Sequence, residues 1–134
     1  MAKLNKFATN VNAAKNGVAV DLGEGLVVTI ARSGNENYQK YLKQALKPYE
    51  KMLRTKTLPD QTFELIYTEA VAETILLGWK GLEDENGVEI PYTKEKAIEI
   101  LSDPQYIDFR TLILDLAGEA AVFAKEAVED TKAA

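Results

Sequence analysis

Four stretches of this chain place side chains where they could do chemistry. Glu64, Glu69 and Glu73 are spaced along one segment, and two carboxylates meeting across a cleft could share general acid and base work. On the helix expected there they fall on its solvent edge, which is the reading adopted. Asp84-Glu85-Asn86-Gly87 resembles a fragment of a calcium loop, but its register fails. With Gly87 at the sixth position the first ligand would be Leu82, and with Asp84 first the sixth residue is Glu89. Gly23-Glu24-Gly25 could cradle a phosphate only if a helix N-terminus followed, and a strand pattern follows instead. Lys40, Lys43, Lys47, Lys51 and Arg54 alternate with Tyr38, Tyr41 and Tyr49, a basic face with aromatics of the kind that holds single-stranded nucleic acid. The preferred reading puts the tyrosines in the core and the lysines in solvent, so nucleic acid is not an expected partner.

Composition narrows these options. The 134 residues contain no histidine and no cysteine, which removes the side chain best suited to proton transfer near neutral pH, the thiol nucleophile, and any disulfide or thiolate metal site. The expectation is a protein that is not an enzyme, with no metal and no cofactor. The N-terminal "MAKLNKFATNVNAAKNG" lacks the apolar run of a signal peptide, and no stretch approaches a membrane span, so a soluble cytoplasmic protein with no membrane partner is expected. The net charge of −5 is unevenly spread: residues 32–56 carry seven Lys/Arg against two Glu, whereas residues 57–134 carry six basic and seventeen acidic residues. Opposite charge in two regions favours head-to-tail self-association, and a homo-oligomer is expected.

The elements that would position these residues form one domain over 17–130. The predicted class is α+β, mostly α, with an N-terminal β-hairpin followed by about four helices, the last of them long. Val18, Val20 and Leu22, then Val28 and Ile30, alternate around the glycine turn and predict the hairpin over 17–32. Three- and four-residue spacing from Tyr38 to Leu53 predicts a helix over 36–54, opened by a Ser33/Glu36 capping box and broken or kinked at Pro48. A strongly apolar helix is expected over 60–78, with Thr57 as its cap, and a short one over 94–102 behind Thr93. Asp103-Pro104 opens the long C-terminal helix over 104–129, while residues 1–16 are expected to be flexible and 131–134 to fray.

Between the second and third of these helices lies "GWKGLEDENGVEIPY", residues 78–92, with the only tryptophan. Asn86-Gly87 suits a tight turn with positive φ at both residues, and Gly78 suits a helix C-terminus. Trp79 can anchor this connector to the core or offer an aromatic contact to a protein partner. Trp79, Ile90, Pro91 and Tyr92, together with Phe123 on the outer half of the last helix, are the candidate partner-binding residues.

The order of parts, with Gly78, Trp79, Gly81, Asp84, Glu85, Asn86, Gly87, Pro91, Tyr92 and Thr93, resembles the small tail assembly chaperones of long-tailed bacteriophages and prophages. The strand ending at Arg32 and the tyrosine-initiated basic helix after it are similar too, so the resemblance spans residues 17–103. It implies a non-enzymatic protein of the host bacterial cytoplasm that binds the tape measure protein, helps tail-tube protein polymerise around it, and is absent from the mature virion. The end at Ala134 suits the short form of such proteins, which a ribosomal frameshift can extend. The alternative is a structural tail or neck component retained in the virion.

Overall fold

The computed structural model describes residues 1–125. At its centre is a three-stranded antiparallel sheet in the order β1-β2-β3: β1 Val18–Gly23, β2 Leu26–Ile30 and β3 Leu76–Lys80. Gly23, Glu24 and Gly25 all take positive φ at the hairpin turn, and the Asp21 carboxylate accepts the Gly23 N–H at 2.8 Å. Leu22 is an extra residue against β2, and Leu77 is an extra residue of β3 against the same strand, so both neighbours of β2 bulge. Val28 lies opposite Trp79 and Ile30 opposite Leu76, which gathers four buried apolar side chains on adjacent strands.

The helices cover this sheet. α1 is Val11–Asn16, α2 Glu36–Leu46, α3 Glu50–Thr55, α4 Asp60–Thr74, α5 Lys94–Ser102, α6 Ile107–Gly118 and α7 Ala120–Phe123. α4 packs against α2, α5 and β3, and buries Ile66, Ala70, Val71 and Ala72. Of these, Val71 and Ala72 join Val28, Ile30, Ile75, Leu76, Trp79, Leu101, Ile113 and Phe123 in one core. Pro48 lies in the 3₁₀ turn Lys47–Tyr49 that separates α2 from α3. Thr93 caps α5 through the Lys96 N–H at 3.0 Å, and Asp103 caps the 3₁₀ turn Pro104–Tyr106 through the Gln105 N–H at 3.0 Å.

The expected architecture of a hairpin and about four helices ending in a long one is corrected in two places. The helix read over 60–78 stops at Thr74, and the chain turns at Ile75 into a third strand. An apolar run such as Ile75-Leu76-Leu77 carries no period of its own, so the sequence does not separate helix from buried strand. The open side of β2 decides it, by offering its unpaired peptide groups to residues 76–80. Gly78 is consequently mid-strand, opposite Thr29, and ends no helix.

The C-terminal helix read over 104–129 is divided. A 3₁₀ turn precedes α6, α6 ends at Gly118, and Glu119 adopts an extended conformation with φ −81° and ψ 116° before the single turn of α7. The break swings fully buried Phe123 into the core, where the Arg32 guanidinium lies 5.9 Å from its ring centroid. Ala124 then pairs with Thr9, and the Asn10 N–H donates to the Phe123 carbonyl at 2.8 Å. Residues 126–129 of that expected helix, and the tail 131–134, lie outside the described residues.

Two capping expectations also shift. α4 begins after Pro59, with no side-chain cap from Thr57. At α2 the cap is Asn35, whose carbonyl oxygen accepts the Tyr38 N–H at 2.9 Å while its amide donates to the carbonyls of Arg32 and Thr74. Asn35 is buried, so its side chain ties the start of α2 to the end of α4 through groups shielded from water.

Candidate functional site

The connector 78–92 is built on its own hydrogen bonds. The Asp84 carboxylate accepts the N–H groups of Asn86 and Val88, both at 2.9 Å, and the Asp84 N–H donates to the Val88 carbonyl at 2.8 Å. Only Gly87 of the Asn86-Gly87 pair has positive φ, which corrects the expected two-residue turn with both residues left-handed. Glu83 bridges to Glu89, and the Ile90 N–H donates to the Leu82 carbonyl at 2.7 Å, so residues 82–90 fold back as a narrow loop. One Asp84 oxygen is thereby committed to the backbone of its own turn.

The loop returns to the sheet through two aromatics. The Trp79 indole N–H donates to the Ile90 carbonyl at 2.7 Å, and the Tyr92 hydroxyl donates to the Leu76 carbonyl at 2.9 Å. Their rings meet edge to face, with centroids 4.8 Å apart and planes at 85°. Burial raises the Tyr92 phenol above its ordinary pKa; Lys94 opposes that rise, and Glu73 and Glu95 add to it.

Gly81 is the residue at which the loop leaves the sheet, with φ +79°. A Cβ there would overlap the Gly25 carbonyl oxygen and stand 2.8 Å from the Gly25 carbonyl carbon, so the connector lies directly against the hairpin turn. That approach joins two glycines 56 positions apart, and nothing in the local pattern announces it.

The candidate partner-binding residues therefore fall in different environments. Trp79 is 6% exposed and Phe123 is fully buried; Ile90 and Tyr92 are half-buried, and Pro91 is exposed. Trp79, Ile90 and Tyr92 come together, but as the lock on the connector, whereas Phe123 belongs to the junction of α7 with Arg32.

Two of the four carboxylates of α4 are matched to a cation. Glu64 pairs with Arg110, whose guanidinium also donates to the Thr68 hydroxyl and the Leu101 carbonyl and lies 5.7 Å from the Tyr67 ring centroid. Glu73 pairs with Lys94, and that hydrogen bond is the main reason the Lys94 ammonium sits above its ordinary pKa. Among the described residues no group of three acidic side chains is arranged to hold a metal ion. On the basic face, Lys40 pairs with Glu36 at 2.9 Å, Tyr38 packs edge-on to Tyr67, and Tyr41 is half-buried. Two of the tyrosines that could have stacked bases are thus turned toward the protein.

Large apolar side chains left in the open are the feature that the sequence reading missed. Phe63, Ile66, Ala70 and Thr74 lie on one face of α4, and Leu65, Thr68 and Ala72 on another. The later residues of both faces are buried, but Phe63 and Leu65, near the start of the helix, are not. Phe63 at 42% exposure shares a groove of about 440 Å³ with Met52, Leu53 and Leu58. Its α4 wall carries Asp60 and Glu64, and its other wall Lys56. A signal was present: more apolar residues than the neighbours of one helix could cover.

The fold and the site together define a small α+β domain, with a helix-covered three-stranded sheet and open apolar surface. The chain belongs to the family of the YdaY prophage protein, whose model matches residues 33–133. It is therefore a phage-derived protein of the prophage type. No curated protein and no solved structure matches it.

Proposed function

We propose that this prophage protein is a non-enzymatic tail assembly chaperone, which binds the tape measure protein and promotes polymerisation of tail-tube subunits around it in the host cytoplasm. The observation that carries the reading is the open apolar groove between α3 and α4, where Met52, Leu53 and Phe63 stand exposed, with Leu65 and Ile107 exposed besides. Patches of that kind serve association with other chains. The resemblance over residues 17–103 supports the tail as the structure being assembled. Trp79, Gly81, Asp84, Gly87 and Tyr92, which carry it, hold the connector shut, so the likeness concerns how the domain is built.

Co-expression with the tape measure protein of the same prophage, followed by affinity capture and mass spectrometry of purified particles, tests this. The expected result is stable co-purification and absence from the particle. Stoichiometric recovery in finished particles would replace the chaperone with a retained tail component, and failure to retain the tape measure protein would remove the partner.

A further inference from the structure

We propose that the α3–α4 groove receives the N-terminal arm of a second copy of this chain, and that copies associate head to tail through this exchange. The arm is residues 1–7, and its apolar side chains Met1, Leu4 and Phe7 recur at a spacing of three, while Val11 opens α1 beyond the extended residues 8–10. In the 3₁₀ turn Leu4–Phe7 a spacing of three puts Leu4 and Phe7 on one side. All four are exposed, Leu4 at 86% and Phe7 at 72%, although Leu4–Phe7 already forms a 3₁₀ turn.

The arm is rooted where it ends. The Ala8 carbonyl accepts the Lys125 N–H at 3.0 Å, the Arg32 guanidinium donates to the Thr9 hydroxyl at 2.7 Å, and the Asn10 N–H donates to the Phe123 carbonyl. Beyond that root, its backbone bonds within residues 3–8 are local. A fixed base with an apolar tip in water is the form of an element that docks elsewhere.

The groove is the matching feature of the same chain. It presents Met52, Leu53 and Phe63, between 39% and 43% exposed, beside half-buried Leu58. Charge fixes how the arm would lie. Lys3 and Lys6 flank the apolar tip, and the α4 wall offers the Asp60 carboxylate, with Glu64 beside it already paired to Arg110, so the lysine edge faces α4 and turns away from Lys56 on the opposite wall. Because the arm and the groove are different surfaces, one exchange leaves a free arm and a free groove, and the contact propagates into a ring or an open chain. The proposal does not depend on the tail reading, and either can fail alone.

The chain has no cysteine, so a Leu4→Cys/Met52→Cys double variant reports the contact directly. Mild oxidation is expected to give a ladder of disulfide-linked multimers. A linked monomer, from an arm folding back into its own groove, would overturn the proposal, as would no linkage at all. Sedimentation velocity supplies the second readout. Wild type is expected to associate with rising concentration, while a variant lacking residues 1–7 and a Phe63→Glu variant each sediment as monomers. Mixed, these two should form a one-to-one dimer, because one retains the groove and the other the arm. Met52→Glu replaces Phe63→Glu if the latter does not fold. A mixture that stays monomeric, or an arm-deleted variant that associates like wild type, refutes the exchange. Wild type that remains monomeric but binds anionic phospholipid vesicles refutes it in favour of a membrane-docking arm.

Discussion

Gly81→Ala tests the packing of the connector against the hairpin more sharply than any change in the apolar core. Two effects add at this position. A residue with a Cβ held at φ +79° costs about 1–2 kcal/mol in backbone strain. The Cβ would also collide with the Gly25 carbonyl, a backbone group that cannot rotate aside, and such overpacking costs about 1–3 kcal/mol. The expected loss is thus about 2–5 kcal/mol, a large part of the ~5–15 kcal/mol that holds a domain folded. At about 3–6 °C per kcal/mol for a chain of this size, Tm should fall by ~6–30 °C. Two other glycines separate the contributions. Gly87 has φ +77° with no atom nearer than the Glu83 Oε2 at 4.0 Å, so Gly87→Ala should show the strain alone, about 1–2 kcal/mol. Gly78 lacks a positive φ and faces Thr29 at an ordinary 3.8 Å, so Gly78→Ala should be neutral or stabilising by up to about 1 kcal/mol. Urea unfolding followed by circular dichroism gives all three values, provided the denaturant slope is unchanged. Equal losses for Gly81→Ala and Gly87→Ala would refute the close approach of connector and hairpin.

Three further results are expected. Trp79→Phe removes the N–H that reaches the Ile90 carbonyl and should cost about 1–3 kcal/mol, whereas Tyr92→Phe should cost about 1 kcal/mol; thermal melts rank them. Asn35→Ala removes the cap of α2 and leaves the Thr74 carbonyl without this partner, for a loss of about 2 kcal/mol by urea titration. Stability should fall as the pH rises above about 10. Burial raises the phenols of Tyr38, Tyr41 and Tyr92, and the Glu73 hydrogen bond raises Lys94. Groups whose folded pKa is raised stabilise fully below the unfolded value and lose that contribution as the pH climbs through the folded one. Melts from pH 9 to 11 check this, and Tyr92→Phe should shallow the decline.

What the sequence disclosed follows from what was local. The alternation of Val18, Val20, Val28 and Ile30 around a glycine turn needs only neighbouring residues, as do Thr93 before α5 and the fragment Asp103-Pro104. The errors arose where a distant partner decided. Leu76–Lys80 becomes a strand because β2, far back in the sequence, has an edge to fill. The break after Gly118 depends on the burial of Phe123 near Arg32 and Asn10, and the apolar stripe runs through it without interruption. Asn35 displaced Ser33 as the cap because its amide also reaches Thr74. At the candidate site the sequence offers Trp79, Ile90 and Tyr92 as partner contacts, where the structure makes them the lock on the connector, and it does not disclose the open groove. Met52, Leu53 and Phe63 read as core by period, but among the described residues no element covers them and they stand exposed.

The two strand pairings of the sheet also differ in when they can form. The glycine turn lets β1 meet β2 within about 1–10 μs, as a hairpin does, whereas forty-five residues separate Ile30 from Leu76. During synthesis at about 5–20 residues per second, the far edge of β2 would stay unpaired for roughly 2–9 s before β3 is made. Through that interval Val27, Val28, Thr29 and Ile30 present a bare β-edge, which is a template for any other extended chain. Closure of the sheet is therefore a late event, coupled to the docking of α4, whose end delivers the third strand.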